Sequence, residues 1–72
     1  MEEAIALFDT VALLDNLPEH GLQRGQVGTI VECLAPSVYE VEFSNEEGRV
    51  YAMLAIRAEQ VVRLRYSPTH AA

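Results

Sequence analysis

The chain has 72 residues, half of them hydrophobic, and carries five basic against eleven acidic side chains for a net charge of -6. That length makes one domain near the lower limit for unaided folding, and the apolar fraction is too high for a disordered chain. Its one cysteine, Cys33, excludes an internal disulfide, a CxxC redox pair and a Cys-rich zinc knuckle. No run of 18 apolar residues is present to span a membrane, and the Met-Glu-Glu start lacks the basic-then-apolar pattern of a secretory signal, so a cytoplasmic location is expected.

There is no lysine, and the arginines are unevenly spread: Arg24 stands alone in the first half, and Arg49, Arg57, Arg63 and Arg65 lie in the second. A nucleic-acid binder needs a positive footprint to displace counterions, and the overall field of this chain repels a phosphate backbone. Nucleic acid is therefore a disfavoured partner.

In chain order, Thr10–Leu14 reads as a first strand with Val11 and Leu13 on one face. Ala and Leu over Glu2–Leu14 make a helix the rival there. "DNLPEHGLQRG", Asp15–Gly25, is a long loop punctuated at both ends. "QVGTIVECL" resumes as a strand with Val27, Thr29 and Val31 on one face and Gly28, Ile30 and Glu32 on the other. Pro36 and Ser37 interrupt it. "VYEVEF" alternates clearly, with Tyr39, Val41 and Phe43 facing inward and Glu40 and Glu42 facing water. "SNEEG" is a turn in which Gly48 supplies a left-handed position. Arg49–Leu54 returns as a strand, Ala55–Gln60 lacks alternation and suits a helical turn, and Val61–Tyr66 is a last strand. The predicted domain is 8–66, with a lead-in over 1–7 and a tail over 67–72 that holds His70.

The expected fold is all-β. Five short strands must hide one apolar face by curling or by pairing with another chain. With a long loop after strand one and a short helical turn before the last strand, the pattern looks like a small SH3-like barrel.

"RGQVGTIVE", Arg24–Glu32, sets two glycines three apart ahead of a β-branched run. A P-loop requires GxxxxGK[ST], and a dinucleotide fingerprint requires a third glycine and a following helix, so neither phosphate site fits. Gly25 then turns the chain, and Gly28 admits a bulge or a close backbone approach. His20 with Asp15 and Glu19 falls short of a zinc set. Cys33 lacks a base nearby in sequence. Glu40 and Glu42, about 7 Å apart on one strand face, lack a cleft to enclose a sugar. No catalytic residue, cofactor or metal site emerges, and the expectation is a non-enzyme. Arg63 and Arg65 share a strand face and are expected either to pair with Glu40 and Glu42 or to form a small partner-binding patch.

"RGQVGTIVE" resembles the glycine-containing hairpin segment of KOW-type modules of transcription and ribosomal proteins, which share the SH3-like barrel. Those modules carry basic residues around the loop, whereas Arg24 here has Glu19 and Glu32 near it. Over Phe8–Leu64, "DTVALLDNLPEHGLQRGQVGTIVE", "YEVEF" and "GRVYAMLAIRAEQVVRL" resemble a family of small bacterial proteins, the domain-of-unknown-function family numbered 4926. That resemblance implies a short cytoplasmic protein and transfers no catalytic residue.

The sequence therefore reads as a non-enzymatic, acidic protein–protein interaction module, such as the antitoxin, immunity or regulatory partner of a basic protein, with a KOW-like nucleic-acid-associated module as the alternative. The expected contact residues are Leu17, Pro18, His20, Leu22 and Arg24 on the loop, with Arg63 and Arg65 on the last strand. Leu17, Pro18 and Leu22 serve equally as a satellite core that packs the loop down. Exposed sheet edges are a second recruiting surface, and homodimerisation is a further expected partnership.

Overall fold

The computed structural model describes residues 5–65. Five antiparallel strands, β1 (Thr10–Leu13), β2 (Val27–Ala35), β3 (Val38–Ser44), β4 (Val50–Arg57) and β5 (Val61–Arg63), form one sheet in the order β4-β3-β2-β1-β5. The only helical elements among the described residues are two 3-10 turns, Pro18–His20 in the loop after β1 and Ala58–Gln60 before β5.

The sheet is barrel-like, and its connections require this. Laid flat, β4 and β5 stand at opposite edges, about 19 Å apart at the usual strand spacing. Only Ala58–Gln60 joins them, and four Cα steps span at most about 14 Å. The sheet must curl to bring its ends together. Curling also explains the core. Val11 and Leu13 of β1, Ile30 of β2, Val41 and Phe43 of β3, Ile56 of β4 and Val61 of β5 form one buried cluster with Leu22. No second layer covers the sheet among the described residues, so its own concave face does.

Alternation places these side chains as expected on β1 and β3. On β2 the expectation fails at one residue. Register slips between Ile30 and Glu32, so that Ile30 opposes Val41 and Glu32 opposes Glu40. The extra residue at Val31 is a β-bulge, and it turns Glu32 off the core face onto the outer one. A continuous ladder would have aimed that carboxylate inward.

Other boundaries move as well. Ala55–Arg57 belong to β4 rather than to a helical turn, with Ala55, Ile56 and Arg57 opposite Glu40, Tyr39 and Val38. The 3-10 turn is held to Ala58–Gln60, where the Gln60 side chain accepts the Arg57 backbone N–H at 2.8 Å. Arg49 precedes β4, and the last strand is described as Val61–Arg63. The rival helix does not form over residues 5–14. Ala6–Asp9 is a turn closed by the Asp9 N–H on the Ala6 carbonyl at 3.1 Å. Tyr66, the expected tail over 67–72 and the first four residues of the lead-in lie outside the described residues.

Two glycine positions answer to geometry. Gly25 has φ +94°, a conformation that side chains strain to adopt. Gly28 is buried, and a Cβ there would lie 2.7 Å from Val41 Cγ1 and 2.9 Å from Phe43 Cδ1. The bare backbone of β2 thus makes room for two inward side chains of β3, Val41 and Phe43.

Candidate protein-binding surface

The loop Asp15–Gly25 is a built structure. Leu17 and Leu22 exchange backbone hydrogen bonds of 2.8 and 3.1 Å around the Pro18–His20 turn, and Gly21 closes that turn at φ +70°. The Asn16 side chain accepts the Arg24 backbone N–H at 2.8 Å. Leu22 is 2 % exposed and belongs to the core, with Leu17 packed against it. The loop leucines therefore anchor the loop to the barrel, and Leu22 is closed to a partner in this conformation. Pro18, His20 and Arg24 stay exposed beside a shallow depression lined by Asn16, Pro18, Gly21, Leu22 and Gln23.

Arg63 and Arg65 do not join that loop. Leu13 pairs with Val61 and Val11 with Arg63, so β5 runs away from the loop toward the start of β1 and ends at Arg63, with Arg65 beyond it. Pairing with Glu40 and Glu42 is ruled out by topology, because β3 is flanked by β2 and β4. Arg63 instead meets Asp9, Nε to Oδ2 at 3.1 Å, with both side chains mostly shielded. The same Asp9 oxygen accepts the Ala6 N–H at 2.8 Å. The loop residues and the two arginines thus lie at different ends of the barrel.

The convex face holds an acidic row. Glu32 of β2 stands directly opposite Glu40 of β3, and Glu42 lies two residues along the same face. Like charges directly opposed across a ladder destabilise a sheet. On the other side, Glu40 and Glu42 oppose Ala55 and Met53 of β4. Neither is a cation, and no described residue forms an ion pair with Glu32, Glu40 or Glu42.

Strand β4 borders this row. It is eight residues long, and no described strand pairs with its second edge. Ala52, Leu54 and Ile56 turn toward the core, while Val50, Tyr51 and Met53 are exposed. Register slips between Phe43 and Ser44, which leaves Tyr51 without a direct cross-strand partner. Its hydroxyl accepts a hydrogen bond from Gln26 Nε2 at 2.9 Å, and its ring lies 6.4 Å from that of Phe43. The sheet's other edge, β5, is only three residues long. Periodicity alone missed β4's length, because burial alternates through Ala55–Arg57 while the outward residues Met53 and Ala55 are themselves apolar and leave no polar–apolar pattern to read.

His20 and Cys33 are exposed, on the loop and on β2. No group of three or more His, Cys, Asp or Glu side chains is placed to hold a metal among the described residues. None of their helices is long and apolar enough to cross a membrane.

No curated protein and no solved structure matches the chain. A family model does match residues 7–63, from the turn before β1 to the end of β5, and the chain belongs to that family, described as Domain of unknown function (DUF4926).

Proposed function

We propose that the protein is a non-enzymatic module that binds another protein. The observation that carries this reading is β4, a long open edge with Val50, Tyr51 and Met53 exposed along it. Natural sheets guard such edges with proline, lysine, inward charges, bulges or very short strands. Strand β4 has neither proline nor lysine; its arginines, Arg49 and Arg57, and its register slip at Tyr51 lie toward its ends and leave Ala52–Ile56 between them. The acidic row beside it favours a basic partner and fits an antitoxin, immunity or regulatory role in the cytoplasm. Gly28, within the stretch that resembles a KOW-type hairpin, faces Val41 and Phe43 in the core, so its bareness serves packing.

Affinity capture of the tagged full chain from its native lysate, with nuclease treatment, tests the reading. One stoichiometric protein retained after nuclease is the expected result. Recovery that disappears with nucleic acid, or no captured protein at all, contradicts it.

A further inference from the structure

Building on the interaction reading, we infer that β4 takes up an extended segment of a partner chain as a sixth strand, and that this segment alternates apolar and basic side chains. Strand addition satisfies backbone groups along an open edge and reads side chains at every second position. The edge is open over Ala52–Ile56, between the register slip at Tyr51 and Arg57, whose backbone N–H is taken by the Gln60 side chain. An added strand sets one row of side chains on the concave side, beside Ala52, Leu54 and Ile56, all packed on the core. That row must be apolar.

Its other row lies on the convex side, beside Met53 and Ala55. One strand further in are Glu42 and Glu40, directly opposite those two residues. The gap from the added strand to the glutamates is two strand spacings, about 9.6 Å. Ala55 rises only a methyl above the sheet, so the aliphatic stem of an arginine or lysine lies across it and delivers its charge to Glu40. A cation there also relieves the Glu32–Glu40 opposition, which no described residue relieves.

A second copy of the chain fits less well. Pairing β4 with another β4 brings two chains of net charge -6 together and supplies only the ends of the edge, Arg49 and Arg57, as cations.

The test uses two synthetic ten-residue peptides, one alternating valine with arginine and the other valine with glutamate. Each is titrated into the labelled full chain, with backbone amide shifts followed by NMR. The valine–arginine peptide is expected to bind with shifts centred on Val50–Arg57 and to weaken as salt is raised. The double variant E40Q/E42Q is expected to weaken that binding about tenfold. Because that variant also removes the Glu32–Glu40 repulsion, its Tm is expected to hold or rise, which separates lost binding from lost folding. Equal binding of the two peptides, shifts centred elsewhere, no binding up to millimolar peptide, or an unchanged affinity in the double variant each overturns the inference. If a lysate partner is still captured equally by wild type and E40Q/E42Q, the interaction reading survives and the β4 assignment does not. With neither peptide nor lysate partner bound, both fail.

Discussion

Gly28 and Phe8 hold opposite kinds of backbone position. Gly28 has an ordinary φ and no space: a methyl there meets Val41, Phe43 and, at 3.0 Å, the Glu42 carbonyl oxygen. Gly28→Ala is therefore expected to destabilise the fold by about 1–3 kcal/mol through overpacking, read as a lower urea midpoint with an unchanged m-value. Phe8 has space and the wrong backbone. It sits at the third position of the Ala6–Asp9 turn with φ +70° and is 74 % exposed. That position in a turn usually takes glycine or asparagine, and the left-handed conformation costs an L-residue about 1–2 kcal/mol. Glycine gives back about 0.5–1 kcal/mol in unfolded-state entropy. Phe8→Gly is therefore expected to leave stability unchanged or raise it by up to about 1 kcal/mol. A loss larger than 1 kcal/mol would show that the ring packs on the barrel after all. Sequence reading found the freedom needed at Gly25 and the close approach at Gly28, since glycine announces both. It had no signal for Phe8, because a bulky side chain gives no hint of a positive φ.

Among the elements, the strands that face a single core were the legible ones. Val11 and Leu13 of β1 and Tyr39, Val41 and Phe43 of β3 alternate because one face is dry and the other wet. The bulge at Val31 was not legible, since a one-residue slip leaves the local pattern of β2 intact and only the partner strand reveals it. The same holds for the arginines of β5: their register was readable, but their neighbours were set by strand order, and Arg63 meets Asp9 across β1. The loop after β1 offered two readings of its leucines, and burial favours the packed one. Leu22→Ala is expected to cost about 2–5 kcal/mol, a large share of the roughly 4–11 kcal/mol that a domain of this length commands. Thermal unfolding read by circular dichroism should then show a fall in Tm well above that of Pro18→Ala, whose side chain is exposed. Equal shifts would place Leu22 outside the cooperative core.

For the whole molecule, charge and topology act together. The acidic excess lies partly on a convex face where glutamates oppose each other, next to the one long strand edge that the described residues leave open. Removing Glu32 or Glu40 relieves that repulsion, and so does a cation brought to the face by a partner. The surface as a whole was not legible, because the row joins residues of β2 and β3 through a bulge, and the outward residues of the edge, Met53 and Ala55, are apolar like the inward ones.

Amide hydrogen exchange on the free chain, repeated with the valine–arginine peptide bound, tests the open edge most directly. In the free chain Ile30 and Val41, inside the sheet, are expected to exchange slowly, while alternate amides of Ala52–Ile56 exchange fast at every protein concentration, and the peptide is expected to slow those β4 amides selectively. Uniform protection along β4 in the free chain, or β4 exchange that the peptide leaves unchanged, would contradict it.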